Sequence, residues 1–340
     1  MSEKMPQFER PEPVIVGPAS VEKKEEYKQT ILGRFGEHHY DQIANDKKQL
    51  FESLEYQKKP YEKLAIEEAN EITNSIISDF GLRPFDISER NIHIVPDKLY
   101  KEIEGDSSKR AVTIQELQMI ILNAERIVYP VERASTIFHE IIHLKTFLSI
   151  EAHEDLYGVR RCGLEMSSSR KKEEKTGFFI AFSGLNEAVV SEIQKRYFPE
   201  LLRKNQFLVD EYNWGMSEEA RVLKEEKAKE EKADISEIAW VTKDGKDYGG
   251  FPYRGQRKVL NYIADVLYEE NAGEFSSRDE VMRLFFKAHF DGKSLPIARL
   301  IEKSFGKGSF RMVGMMDDKL NSARLVRDYL TKHKNKKSSG

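Results

Sequence analysis

The sequence predicts an α+β fold. Apolar residues recur at helical spacing over the first and last thirds of the chain, short β-branched runs occupy the middle, and a polar stretch there separates two apolar runs as a hairpin would. The expected core is a small sheet, a central helix, a β-hairpin and a second helix, flanked by mostly helical N- and C-terminal regions. At 340 residues the chain is longer than one hydrophobic core usually organises, so more than one compact unit is expected.

Residues 1–20 carry Pro6, Pro11, Pro13, Gly17 and Pro18 without periodicity, which suits a flexible lead-in. Over residues 21–83, an N-terminal helical region, Ile31, Phe35, Ile43, Leu50, Leu54, Leu64, Ile66, Ile72, Ile76 and Ile77 repeat among charges, and Pro60 marks the break between two helices. The core is expected over residues 84–204. Residues 91–96, 110–114 and 118–122 read as strands because they are short and rich in isoleucine and valine. A helix is expected over 131–150. Two strands over 157–166 and 177–183 then form a hairpin around the polar residues 167–175. Gly184-Leu-Asn186 opens the second helix, which Pro199 interrupts. Residues 205–250 form a charged helix or linker, with Glu, Lys and Ala dominating 217–234. Val259, Ile263, Val266 and Leu267, then Val281, Leu284, Phe285 and Phe286, then Leu295, Ile297, Leu300 and Ile301, mark helices in a C-terminal region over 251–332, before a tail over 333–340.

The charges narrow the function. Fifty-five basic residues against 58 acidic ones leave a net charge of -3, which supplies no electrostatic case for nucleic acid or an anionic membrane as partner. No window approaches the roughly 18 consecutive apolar residues of a membrane span. A single cysteine, Cys162, excludes an internal disulfide framework and favours a reducing compartment. The polar N-terminus lacks the apolar segment of a signal peptide. These features lead to the expectation of a cytoplasmic protein.

The chemistry concentrates at His139-Glu140-Ile-Ile-His143. Histidines four apart on a helix project from one face, one turn apart, so both imidazoles reach a single metal ion. Glu140 stands beside the ion rather than on it, where its carboxylate can take a proton from a water that the metal polarises. Ala134, Ile137, Phe138, Ile141, Ile142 and Leu144 make the flanks apolar, and two imidazoles buried there would be costly without a partner. The competing explanation is a chance string on an ordinary core helix. A hydrolytic zinc site wants a third protein ligand and an open position. His153 is one candidate. Glu187, in the first turn of the helix opened by Gly184, is another, against the plain alternative of a helix N-terminal carboxylate stabilised by the backbone dipole.

With Asn186-Glu187 on a second helix, the chain resembles the gluzincin group of zinc peptidases, in which such a glutamate is the third ligand. The spacer from His143 exceeds forty residues, closest to the lethal-factor-like zincins, where a hairpin also lies between the two helices. The metzincin pattern is absent, since Thr146 and Ser149 stand where it needs glycine and histidine. The resemblance covers about residues 110–200 and implies a zincin-like catalytic core binding Zn2+ through His139, His143 and Glu187. It implies a hydrolase, an intracellular endopeptidase acting on a peptide or protein substrate with Glu140 as general base. The alternative is a zincin-fold regulatory or protein-binding module without proteolytic activity, and hydrolysis of a non-peptide amide is a third possibility. Behind the metal, the family's acidic residue is replaced by Ser191, with Glu192 one place on, and either could orient a histidine. The tyrosine expected before Glu187 as oxyanion donor is missing from Phe178-Phe-Ile-Ala-Phe182. Tyr157, Arg160, Arg161 and Tyr262 are the substitutes, each also readable as a packing or surface residue. Residues 118–122 could offer a strand edge to a peptide, or be a plain buried strand.

Overall fold

The computed structural model describes residues 10–33, 51, 53–106, 108–172, 175–271 and 273–337. The parts of the expected lead-in at 1–9, of the first helical region at 34–50 and of the tail at 338–340 lie outside the described residues. The fold is α+β, with small mixed sheets among many helices. The elements are β1 (Val14–Val16), α1 (Val21–Gly33), α2 (Pro60–Asp79), β2 (Ile92–Val95), α3 (Asp97–Glu104), β3 (Ala111–Ile114), β4 (Met119–Asn123) and α4 (Pro130–Leu144). They continue as β5 (Leu148–Ala152), β6 (Tyr157–Cys162), β7 (Glu165–Lys172), β8 (Lys175–Ala181), α5 (Ser183–Lys204), α6 (Val209–Gly215), α7 (Glu218–Glu230), β9 (Ile238–Val241) and β10 (Tyr248–Gly250). The last are α8 (Arg254–Glu270), α9 (Arg278–Asp291), α10 (Leu295–Phe305), α11 (Ser309–Val313) and α12 (Leu320–Lys337). Among the described residues no helix is long and apolar enough to cross a membrane.

The chain divides into two compact units. The first takes Met1–Lys145, Ala152–Tyr157 and Gln194–Phe251. Its sheet runs β2-β4-β3, with β2 parallel and β3 antiparallel to β4. All five residues of β4 are buried, as a central strand carrying Met119, Ile120, Ile121 and Leu122 should be. Of the two readings of 118–122, the plain buried strand is the one that holds, and β3, partly buried along its length, lies at an edge of the sheet. Helix α4 packs on β3, β4 and α2. Pro130 opens it, where a missing N–H costs nothing. Ile137, Phe138, Ile141 and Ile142 are fully buried, each contributing roughly 1.5–3 kcal/mol of transfer free energy. Arg133 ties its first turn to α2 through the buried Glu62 at 2.8 Å and donates to the carbonyl of Ile127 at 2.6 Å.

Residues 205–250 join this unit as packed structure. Ser217 caps α7 by accepting from the Ala220 N–H at 3.1 Å, acidic residues fill its first turn, and Ala220 and Ala228 are buried. Residues 10–20, expected to be a flexible lead-in, include the strand Val14–Val16 and the buried Arg10. A Val-Ile-Val run has the β-branched character that pairs readily even beside prolines.

The second unit takes Thr146–Glu151, Gly158–Ile193 and Pro252–Gly340. Strands β5 to β8 are consecutive neighbours in one sheet. The expected single hairpin is thus a meander. The polar residues 167–172 extend β7, which pairs antiparallel with β8, and the reversal from β6 to β7 falls instead at Gly163, whose φ is 60°. The helix expected to reach residue 150 ends at Leu144, because Leu148–Ala152 alternates and pairs as a strand. Conversely, Pro199 does not stop α5, which continues to Lys204. Phe198, Leu201 and Leu202 are buried around it, and that burial outweighs one lost backbone hydrogen bond. Most positions that the spacing marks in the C-terminal helices are buried, among them Val259, Ile263, Val266, Leu267, Val281, Phe285, Phe286, Ile297 and Ile301, but Leu284 and Leu300 are half-buried and Leu295, at the start of α10, is exposed; α8 packs against α9, α10 and α12. Of the aromatic cluster before α5, Phe182 is buried against Phe310 at 4.6 Å between ring centroids, whereas Phe179 is exposed.

Candidate metal centre

His139 and His143 lie one turn apart on α4, both 8% exposed. Their Nε2 atoms are 3.2 Å apart and their rings meet at 64°. Nitrogen ligands about 2.0–2.1 Å from zinc, at tetrahedral angles, stand about 3.3 Å from each other. The imidazole pair therefore already has the spacing of two zinc ligands. The ligand atoms of His139, His143 and Glu187 all lie within 4.8 Å of one another. Two imidazoles and a carboxylate are the donor set of a catalytic zinc site that keeps one position open, so the residues fit the ion.

The tautomer of His139 follows from its neighbour. The Gln194 amide nitrogen donates to the Ser135 carbonyl at 2.9 Å and to its hydroxyl at 2.8 Å. A carbonyl oxygen only accepts, so this contact orients the amide and leaves Gln194 Oε1 facing His139 Nδ1 at 3.0 Å. Nδ1 must then carry the proton, which makes Nε2 the bare lone pair. Gln194 belongs to the same helix as Glu187, seven residues on, so the two share a helix face. At the end of α4, the buried Gln115 donates to the His143 carbonyl at 2.6 Å, satisfying a backbone group that the helix terminus leaves open.

Glu140 is as buried as the histidines and stands outside the three-residue ligand group. Thr113, on β3, donates its hydroxyl to Glu140 Oε2 at 2.7 Å. One carboxylate oxygen is thereby held against the sheet.

Asn186 has a separate role beside Glu187. Its Oδ1 accepts from the Leu164 N–H at 3.1 Å and faces His289 Nδ1 at 3.1 Å. The Gly163 N–H donates to the Phe147 carbonyl, and Thr146 donates to the His289 carbonyl at 2.7 Å. This polar knot locks the first turn of α5 to the β6–β7 turn. A Cβ on Gly163 would lie 2.4 Å from Thr146 Oγ1 and 2.6 Å from Asn186 Oδ1, which explains the glycine as well as its positive φ.

The other expected positions fall elsewhere. Ser191 is fully buried with its hydroxyl unpaired, and Glu192 binds Arg257 at 3.3 Å and Asn261 at 2.9 Å. The residue behind His139 is Gln194 instead, a neutral amide where the family pattern led to an acid; the seven-residue spacing from Glu187 was the available sequence signal. Tyr157 stacks on Tyr27 at 4.6 Å. Arg160 is largely exposed beside Glu151 at 4.0 Å. Arg161 donates to the Gly163 carbonyl at 3.0 Å and lies over Phe147, and burial lowers its pKa. Tyr262 is covered by the Arg327 guanidinium at 3.5 Å. His153 closes a backbone turn with Leu156 and, like Cys162, is outside the ligand group. The sequence matches no protein-family model, and comparison with curated proteins and with solved structures returns no match.

Proposed function

We propose that this protein is a zinc-dependent hydrolase of gluzincin type with a zincin-like core, acting as an endopeptidase in the cytoplasm. The observation that carries this reading is the Nε2 pair of His139 and His143 at 3.2 Å, with Glu140 anchored next to it by Thr113. Zinc held by His139, His143 and Glu187 would supply Lewis acidity, polarising a substrate carbonyl and lowering the pKa of water at the site. Glu140 takes the proton of the attacking water on its unanchored oxygen and returns it to the leaving nitrogen. Gln194 keeps His139 in the Nδ1–H tautomer throughout. Strand β3, at the edge of its sheet and bonded to Glu140 through Thr113, is the place where an extended peptide would pair. The single cysteine supports a reducing compartment.

The test is metal content and peptide hydrolysis of the purified protein and four variants. His139→Ala and His143→Ala should lose zinc, and Glu187→Gln should hold it more weakly. Glu140→Gln should retain zinc and lose hydrolysis. Full zinc occupancy in His139→Ala would refute the site. Zinc binding with no hydrolysis of a peptide library by the wild-type chain would favour a zincin-fold binding module instead.

A further inference from the structure

A cavity in the first unit is built from residues that the proposed metal chemistry does not use. It has a volume of about 280 Å³ and apolar walls that include Phe198, Leu202, Ile238, Val241 and Phe251. Both tryptophans of the chain, Trp214 and Trp240, line it. A volume of this size is at the lower end for small-molecule sites.

The charges around it are unequal. Lys195 is neutralised by Glu237 at 2.7 Å and by the Ser236 hydroxyl at 3.0 Å. Lys224 has only the Gly215 carbonyl, at 3.3 Å. Among the described residues no carboxylate pairs with it, and Glu211, which also borders the cavity, is not within ion-pair distance. Burial alone pushes the Lys224 pKa down. A cation held in an apolar wall without a counter-ion costs free energy that a bound anion would return.

We infer that this cavity binds a small apolar carboxylate, of the size of decanoate, with its head group on Lys224 Nζ and its chain among the aromatic and aliphatic walls. The apolar lining selects for the chain and the unpaired ammonium selects for the anion, so neither a neutral nor a cationic amphiphile of equal length satisfies both. The site is independent of the metal reading.

Because the only two tryptophans line the cavity, intrinsic fluorescence of the full chain reports its occupancy directly. Titration with decanoate should give a saturable change below its micellar range, at least tenfold tighter than decanol or decylamine. Lys224→Met should weaken decanoate at least tenfold and abolish its advantage over decanol, while Ile238→Phe, which fills the cavity, should weaken both. His139→Ala should bind decanoate as the wild type does. Equal binding of decanoate and decanol by the wild-type chain would overturn the proposal without recourse to any variant. Unchanged decanoate affinity in a folded Lys224→Met protein, or its loss in His139→Ala, would do the same.

Discussion

Replacing Gln194 by alanine removes three hydrogen bonds at once: two from its amide to Ser135 and one between its Oε1 and His139 Nδ1. The Ser135 bonds are neutral and worth about 0.5–1.5 kcal/mol each, so most of their loss appears as stability. On the proposed zinc reading, the third acts on the metal. With Oε1 gone, His139 Nδ1 no longer has a fixed acceptor, and the tautomer that leaves Nε2 free loses its advantage. Partners of this kind behind a metal histidine typically control affinity by 10–100-fold, equivalent to about 1.4–2.8 kcal/mol. Gln194→Ala should therefore weaken zinc by about that factor, measured by competition against a chelating fluorophore, with far-UV circular dichroism unchanged. Gln194→Glu separates the two roles, because a carboxylate still accepts from Nδ1 but repels the Ser135 carbonyl. It should keep most of the zinc affinity while lowering thermal stability. A zinc Kd within threefold of wild type in folded Gln194→Ala would refute the tautomer argument.

Three further outcomes are expected. Thr113→Val releases Glu140 Oε2 and should lower kcat about tenfold, a cost of about 1.4 kcal/mol, with zinc content unchanged; loss of zinc would show that Thr113 serves the fold instead. Gly163→Ala forces a Cβ into the Thr146, Asn186 and His289 knot at a φ of 60°, and should destabilise by at least about 2 kcal/mol; calorimetry showing an unchanged Tm would contradict the packing described. The third concerns pH. Burial raises the Glu68 carboxyl to about 7, against a hydrogen bond from Asn205 and the charge of Lys204 that pull it down. The folded state then holds a proton that the unfolded chain has lost, so stability is fullest below the unfolded pKa of about 4.3 and falls as pH rises through about 7, by up to about 4 kcal/mol. Glu68→Gln should raise Tm at pH 8 and lose that advantage near pH 4; a gap of equal size at both pH values would remove Glu68 as the cause.

Much of the architecture was legible because local pattern and tertiary demand agreed. The strands at Ile92–Val95, Ala111–Ile114 and Met119–Asn123 carry the β-branched and aliphatic runs that mark them, and the C-terminal helices bury most of the residues their spacing marks. Errors arose where tertiary packing overrode a local signal. Pro199 is a local break signal, yet the apolar surface of α5 on both sides keeps the helix intact. The polarity of residues 167–172 is a turn signal, yet β8 supplies the partner that makes them a strand.

What the sequence determined by itself is the helix that presents His139 and His143 on one face with Glu140 between them, because a 3.6-residue period converts that spacing into geometry. It also carried Glu187 as a candidate ligand. Which residue stands behind His139, which strand is an edge, what Asn186 holds and that no carboxylate among the described residues pairs with Lys224 were decided only by the tertiary structure. Each depends on atoms far apart in the chain, and hydrogen bonding and burial between such atoms leave no periodic trace along it.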